Sequence, residues 1–260
     1  MPTPSRRSRS WQRCGRRSNR MRPDGQIPEK IVLANWKASL SPAAAARWLD
    51  AFAGRYRPST RLRVVLAIPF LMLVEARARR GELPGVVLAA QDVSPFPQGS
   101  YTGATPADWL RGLVDYVLVG HRERRRYFHE SNQDAANKVS EVLAAELTPI
   151  LCAGREGLAG QLAALETAEL EKTILACTPE EAEALELGRN IAAVADAARY
   201  FAKMTGGRPV LYGGGVHYSN VAELIVLPEL AGVMVAGGSL DPAAFAVLLA
   251  NAEQALTSGA

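Results

Sequence analysis

Eight short apolar runs recur along the chain, and their repetition restricts the fold more than any other feature. Each run shows little polar alternation, which is the pattern of a strand buried on both faces. The runs are KIVLANW (30–36), LRVVLAIP (62–69), GVVLAAQD (85–92), DYVLVG (115–120), TPILCAG (148–154), KTILAC (172–177), RPVLYGGG (208–215) and AGVMVAGG (231–238).

The segments between these runs have a helical pattern. They are rich in Ala, Leu, Glu and Arg, with apolar residues spaced close to the helical period, as in 42–55, 134–147 and 241–256. Ser41-Pro42 and Asp241-Pro242 each supply an N-cap followed by proline at the first helical position. Strands alternating with helices predict parallel pairing through right-handed crossovers, in either an open doubly wound sheet or a closed barrel. Eight units favour the (β/α)8 barrel, or TIM barrel, and no G-x-G-x-x-G follows the first run to support a Rossmann sheet.

The positive charge of the chain is confined to its N-terminus. The formal net charge is +4, but residues 1–22 contain eight arginines and no acidic residue, whereas the remainder has 22 basic and 26 acidic residues. We expect residues 1–26 to be a disordered Arg-rich extension and residues 27–260 to form one barrel domain. A translation start at Met21, an organelle transit peptide or a nucleic-acid-binding arm are the alternatives for the extension. The acidic body does not favour nucleic acid as a partner.

The cysteines and histidines indicate the compartment and the absence of a cofactor. Cys14, Cys152 and Cys177 have neither the spacing of a zinc site nor that of a disulfide framework. A reduced, cytoplasmic location therefore fits best. No run approaches the ~18 consecutive apolar residues of a membrane span. The three histidines lie in different contexts, so neither a metal nor another cofactor is expected.

Polar residues follow two strands at the edge where a barrel places its active site. Asn35 and Lys37 follow the first strand, and His121 and Glu123 follow the fourth. The lysine could stabilise an enediolate, and a neutral histidine at a helix N-terminus could donate a hydrogen bond to a carbonyl. Asn35 would hold Lys37 or an oxygen, and Glu123 would accept a bond from Lys37 or orient a neighbour. The alternatives are a solvated lysine and a histidine that only caps a helix, and the arginines within 122–126 are expected to be a solvated, ion-paired helix start.

Glycines follow the last two strands. The segments YGGGV (212–216) and AGGSL (236–240) expose backbone N–H groups side by side, which would form a cradle for a phosphate group. Tight strand-to-loop turns are the alternative explanation. Together with the lysine and the histidine, this cradle predicts a pocket for a small phosphorylated carbonyl compound. Aldose–ketose isomerisation there would need one further carboxylate to remove the proton next to the carbonyl.

These motifs make the chain resemble the triosephosphate isomerase family from about residue 30 to residue 256. The resemblance rests on six motifs in the family's order: ANWK (34–37), YTG (101–103), VGHRERR (119–125), ILCAG (150–154), YGGGV (212–216) and AGGSL (236–240). It implies interconversion of glyceraldehyde 3-phosphate and dihydroxyacetone phosphate through an enediolate, without a cofactor. Lys37 and His121 would be the catalytic residues, and Asn35 and Glu123 would support them.

The resemblance also implies a phosphate site and a dimer. Gly215, Gly237 and Gly238 would line the phosphate, together with Gly188 in the lid after the sixth strand. The segment QDVSPFPQGSYTG (91–103) resembles the long dimer loop of the family, so a homodimer is implied.

The chain departs from the family most at the end of the sixth strand. The family has a Y-E-P-type motif there, followed by a glycine-rich lid, whereas this chain reads Cys177-Thr178-Pro179. A threonine hydroxyl with no adjacent base will not remove a carbon-bound proton at neutral pH, so the base position is substituted. Glu180 and Glu181 follow, but an extended chain places them roughly 7–10 Å further along. The alternative to a rescuing base is that they begin a solvated helix.

Other departures concern single positions and one connection. Arg122 and Gly215 replace serines of the family motifs, and Ala104 and Arg155 stand where glutamates are usual. About 18 residues separate the fifth and sixth strands, which predicts a shortened helical connection. The sequence thus favours an isomerase of the triosephosphate isomerase type. The alternatives are a paralogue that binds sugar phosphates for a regulatory purpose and an enzyme for another phosphorylated carbonyl compound.

Overall fold

The computed structural model describes residues 29–180 and 190–258, which form a closed barrel of eight parallel strands. The strands follow one another around the barrel in chain order, and the last pairs with the first. They are β1 Lys30–Asn35, β2 Leu62–Ile68, β3 Val87–Ala90, β4 Tyr116–Val119, β5 Thr148–Ala153, β6 Ile174–Cys177, β7 Val210–Tyr212 and β8 Leu230–Val235. The predicted (β/α)8 barrel is confirmed, and each predicted apolar run overlaps one strand.

Helices cover the outside of the barrel. They are α1 Pro42–Ala53, α2 Phe70–Ala78, α3 Arg122–Phe128, α4 Asn132–Ala144, α5 Leu158–Leu162, α6 Thr167–Lys172, α7 Ile191–Met204, α8 Val221–Ile225 and α9 Pro242–Ser258, with 3-10 turns at Arg80–Glu82, Ala107–Leu110 and Gly237–Ser239. Both predicted caps are confirmed, because Ser41 Oγ accepts the N–H of Ala44 at 3.3 Å and Asp241 Oδ1 accepts that of Ala244 at 2.7 Å. The short α5 and α6 fill the connection that was predicted to be shortened.

Strand residues alternate between two apolar layers. One layer fills the barrel and includes Leu33 and Ala176. The other packs the strands against the helices, around large buried rings such as Phe52 and Phe245. Successive side chains of a strand point to opposite faces. Thr178, two residues beyond Ala176, therefore belongs to the uppermost layer inside the barrel.

The pairing of β8 with β7 contains a bulge at a glycine that also lies against β1. The register on β7 steps from Leu230 to Gly232, so β8 carries one extra residue at this point. Gly232 has a φ of 152°, and a Cβ there would lie 1.9 Å from the carbonyl oxygen of Ile31. Next to the bulge, the buried Lys30 ammonium donates to the carbonyl oxygens of Leu227, at 3.0 Å, and Leu230. Only glycine allows the last strand to approach the first this closely.

Some predictions fall outside the described residues. These are the extension over residues 1–26, its boundary with the barrel, and the positions of Glu181 and Gly188. Within the two described ranges, no helix is long and apolar enough to cross a bilayer.

Candidate active site

The ends of β1 and β4 bring the four predicted polar residues together. Asn35 is buried, and its Oδ1 accepts the backbone N–H of Lys37 at 3.0 Å. Lys37 Nζ lies 2.5 Å from Glu123 Oε1, as a hydrogen-bonded ion pair. His121 Nδ1 lies 3.6 Å from the other oxygen of Glu123. One carboxylate therefore holds the ammonium beside the imidazole.

The backbone of Lys37 is held in a conformation that a lysine rarely adopts. Its φ is 51°, in the left-handed region, which costs roughly 1–2 kcal/mol for a residue with a Cβ. Gln91 Nε2 donates to the carbonyl oxygens of Lys37, at 3.0 Å, and Ala67, at 2.9 Å, and thereby supports the turn. The sequence interpretation included Gln91 in the third apolar run and in the 91–103 loop, without a role in the site. Its position directly after β3, at the end of a strand, was the sequence signal that could have identified it as a site residue.

The geometry around His121 fixes its tautomer. The ring is 8% exposed and caps α3, and its Nδ1 accepts the N–H of Glu123 at 3.3 Å. The proton of the neutral ring is therefore on Nε2, which is a hydrogen-bond donor. The pKa of His121 is lowered to about 4, chiefly by burial; Glu123 opposes this shift, and the charges of Lys37 and Arg122 add to it.

His121 is expected to stay neutral at about pH 5.5. Its folded pKa of about 4 lies below the ordinary value of 6.5, so the unfolded chain takes up a proton first as the pH falls. The contribution of this neutral ring to the free energy of unfolding is complete above the unfolded pKa of 6.5 and is lost as the pH falls through the folded pKa of about 4. The loss is at most about 1.4 kcal/mol per pH unit. Nitrogen chemical shifts of histidine-labelled protein, assigned with His121→Gln, measure the charge directly. A spectrum of the imidazolium form at that pH would contradict the prediction.

The base position holds a buried hydroxyl group. Thr178 is 3% exposed, and its N–H donates to the carbonyl of Ala153 at 2.8 Å. Its Oγ1 has no hydrogen-bond partner among the residues that the structure describes. Gly213 lies beside it, since a Cβ on that glycine would be 3.2 Å from Thr178 Cγ2. Glu180, two residues on, is exposed.

Arg122 and Arg125 are fixed by specific contacts, and for Arg122 the predicted solvated helix start is wrong. Arg122 is half-buried, and its Nη1 donates to the carbonyl oxygen of Pro179, because the long side chain crosses from the start of α3 to the end of β6. Arg125 Nη2 donates to Asn132 Oδ1 at 2.8 Å. A serine at position 122 could not reach across in this way.

The predicted phosphate loops lie against each other. Gly215 has a φ of 60°, and Asn220 Nδ2 donates to its carbonyl at 2.9 Å. A Cβ on Gly238 would lie 3.5 Å from the carbonyl oxygen of Val216, whereas one on Gly237 would meet open space. The backbone N–H groups of Gly237 and Gly238 have no acceptor within residues 29–180 and 190–258. These two N–H groups begin the turn that follows β8, at the end of the barrel where the strands finish, so they are available to an anion.

A largely buried ionic cluster contacts the backbone directly before His121. Lys138 Nζ contacts Glu130 Oε2 and lies 2.6 Å from Asp92 Oδ1. Arg124 bridges the same two carboxylates, at 2.9 Å from Asp92 and 3.1 Å from Glu130. Glu130 Oε1 also accepts the N–H of Gly120 at 3.0 Å, directly before His121. The cluster joins the ends of β3 and β4 to α3 and α4. We expected ion pairs for the arginines of 122–126 but did not identify these partners, because Asp92, at the end of β3, lies 46 positions from Lys138 on α4.

The loop 91–103 presents aromatic side chains to solvent. Phe96 and Tyr101 stack with their ring centroids 4.6 Å apart, although both are more than two fifths exposed. Ser94 and Thr105 close the loop through a backbone hydrogen bond of 2.8 Å. An ordered loop with exposed stacked rings is suited to an interface.

Comparison with known proteins gives one consistent result. The sequence profile described as triosephosphate isomerase matches residues 30–252. The triosephosphate isomerase of Symbiobacterium thermophilum is 35% identical over 86% of this chain and 97% of its own length, and that of Synechococcus sp. strain JA-3-3Ab is 34% identical over 88% and 97%. The crystal structure of triosephosphate isomerase from Bartonella henselae superposes with a TM-score of 0.69 at 25% identity, covering 86% of this chain and 98% of that chain.

Proposed function

Since the chain belongs to the triosephosphate isomerase family, we propose that it is a slow aldose–ketose isomerase acting on a small phosphorylated sugar. By family, the substrates are glyceraldehyde 3-phosphate and dihydroxyacetone phosphate. The observation that carries the proposal is the joint placement of Lys37, Glu123 and His121 at one mouth of the barrel.

These residues supply the electrophilic half of the reaction. The phosphate group would bind the backbone N–H groups of Gly215, Gly237 and Gly238. The substrate carbonyl would then accept a hydrogen bond from His121 Nε2. As the enediolate forms, its oxygen gains negative charge, which the ammonium of Lys37 and this donor stabilise. Preorganised donors of this kind contribute about 10²–10³-fold each to the rate of such reactions.

Proton removal is the slow step of the proposed reaction. Thr178 offers no carboxylate, His121 is too weak a base, and Glu123 is paired with Lys37. Water or the exposed Glu180 would have to accept the proton. The absence of a positioned general base typically costs about 10²–10⁴-fold in rate.

The second candidate is a protein that binds sugar phosphates without turnover, as a regulatory paralogue. Thr178 at the base position favours it, because the pocket keeps its donors while it lacks the group that starts the chemistry.

Steady-state isomerase kinetics on glyceraldehyde 3-phosphate, with protein from a host that lacks its own isomerase, tests the two candidates. We expect slow turnover by the wild type and a further loss of about 10²-fold or more in His121→Gln, because that substitution removes the donor to the carbonyl. Dihydroxyacetone phosphate binding is measured in parallel by calorimetry. The isomerase would be rejected, and the binding protein favoured, if dihydroxyacetone phosphate binds but the rate of isomerisation is the same in the wild type and in His121→Gln.

The proposal includes a homodimer in the cytoplasm. The exposed rings of Phe96 and Tyr101 in the loop 91–103 support the dimer, and the mass in solution, measured by light scattering, tests it. Cys152 and Cys177 are buried and form no disulfide among the described residues, which is compatible with a reducing compartment.

A further inference from the structure

We propose that Thr178 is a positioning residue for proton removal, because its hydroxyl holds the water molecule that, as hydroxide, accepts the proton next to the substrate carbonyl. The inference rests on the proposed function and deepens it. It assigns the role of the missing carboxylate to solvent, and it states where the hydrogen of the substrate goes.

The side chain of Thr178 offers a polar group inside the barrel. The residue is 3% exposed, and its Oγ1 has no hydrogen-bond partner among the described residues. Gly154 and Gly213 flank it on the neighbouring strands and add no side chains to the space around the hydroxyl. One layer below, burial raises the pKa of the Cys152 thiol to about 12, so this group is not a base. A buried hydroxyl of this kind is a group that ordered water satisfies in proteins.

Arg122 brings a positive charge to the same end of β6. Its Nη1 donates to the carbonyl oxygen of Pro179, the residue that follows Thr178. The remaining N–H groups of the guanidinium supply donors for a water that Thr178 holds. A positive charge favours the anionic form of a titrating group, so it favours hydroxide over water. Arg122 is thus the second positioning residue.

The other charged groups around the end of β6 are engaged elsewhere or exposed. Glu123 is paired with Lys37, and Glu180 is exposed. Arg155, at the end of β5, stacks on a tyrosine ring of α7 with its guanidinium 4.6 Å from the ring centre. His121 is neutral, since its pKa is about 4. Solvent is therefore the proton acceptor that these residues leave.

The proposed step needs no oxidant or reductant. The hydroxide oxygen bonds to the hydrogen next to the carbonyl and becomes water. The C–H electron pair forms the carbon–carbon double bond of the enediolate, and the carbonyl electron pair moves onto the oxygen that His121 and Lys37 stabilise. The hydroxyl proton passes between the two substrate oxygens, and a water molecule protonates the neighbouring carbon and leaves hydroxide. Because this water exchanges with bulk solvent, the hydrogen of the substrate is lost.

Isomerisation in D2O measures the fate of that hydrogen. Glyceraldehyde 3-phosphate is the substrate, the product is trapped at once by glycerol 3-phosphate dehydrogenase and NADH, and mass spectrometry gives its deuterium content. We expect one deuterium in every product molecule of the wild type. A fraction that keeps the substrate hydrogen would reveal a shielded base on the protein and would overturn the inference. Thr178→Glu is the contrast, because a carboxylate can return the proton it has taken.

The pH dependence of kcat/KM, corrected for the reaction in buffer alone, is an independent measurement. Between about pH 7.5 and 9 we expect the wild-type value to rise about 10-fold per pH unit, because the acceptor is hydroxide. A carboxylate base would be ionised throughout this range and would give a constant value. A constant value would reject the inference and leave the isomerase standing.

Two substitutions of Thr178 test the hydroxyl. Thr178→Val keeps the shape of the side chain and should lower kcat/KM by about 3- to 10-fold, as the loss of one hydrogen bond predicts. Its midpoint of urea denaturation should not fall, because the hydroxyl has no partner in the described residues. Thr178→Ser should recover most of the lost rate. Equal rates in Thr178→Val and wild type would reject the positioning role.

Arg122→Gln tests the charge and should lower kcat/KM by about 10-fold. Arg126→Gln is the control, because it removes the same charge from an exposed residue of the same helix and should leave kcat/KM unchanged. Equal effects of the two would reject the role of Arg122. Should Arg122→Gln fail to fold, the two Thr178 variants decide the question. No turnover at any pH would reject both this inference and the isomerase.

Discussion

Replacing Thr178 with glutamate is expected to raise the isomerase kcat/KM by at least about 100-fold, and up to about 10⁴-fold. The substitution supplies a carboxylate at the end of β6, opposite the donors on β1 and β4. The neighbouring Gly213 adds no side chain of its own to the space that the longer residue would enter. Steady-state kinetics on glyceraldehyde 3-phosphate, beside wild type from the same isomerase-free host, measures the gain.

Thr178→Gln is the matched control, since it has the size of glutamate without the basic group. It should not exceed the wild-type rate. A wild type that already turns over at the usual rate of enzymes, about 1–10³ per second, would show that another group removes the proton. Glu180 and Glu181 would then be the residues to replace.

Replacing Glu130 with glutamine is expected to lower the free energy of unfolding by about 3–5 kcal/mol. Glutamine keeps the acceptor for the N–H of Gly120, but it removes the charge between Lys138 and Arg124. The buried Lys138 and the partly buried Arg124 would then share the single carboxylate of Asp92, and an amide donor would face the ammonium. The midpoint and slope of urea denaturation, followed by circular dichroism, give the loss.

Glu82→Gln is the control for this experiment. Glu82 also pairs with an arginine, Arg79, but its side chain is about half exposed, so the change should stay within about 0.5 kcal/mol of wild type. If Glu130→Gln were as stable as this control, the buried cluster would contribute nothing to folding.

Local patterns explain why so much of the fold could be predicted. A strand covered on both faces of the sheet needs apolar residues at consecutive positions, and the eight runs meet this requirement without reference to any partner. The caps at Ser41 and Asp241 are equally local, because each side chain bonds to a backbone N–H three residues away. Turn glycines and polar strand ends then located the candidate site.

The features that escaped prediction depend on contacts between distant residues. Gln91 supports Lys37 across a gap of 54 positions, and Arg122 reaches Pro179 across 57. The requirement for glycine at position 232 arises only when β8 meets the carbonyl of Ile31. Secondary-structure propensity and hydrophobic periodicity carry no information about such contacts, because each residue type occurs in many different surroundings.

The seam between β1 and β8 also has a consequence for biosynthesis. Lys30 and Leu230 are 200 positions apart, so the first strand emerges from the ribosome long before its partner. At about 5–20 residues per second, one edge of β1 would wait roughly 10–40 s for the last strand. During that time the nascent sheet has open edges that can pair with other chains. Protection by chaperones is therefore needed most while the barrel lacks its final strand, and a ribosome that stalls before Gly232 would release a chain that cannot close.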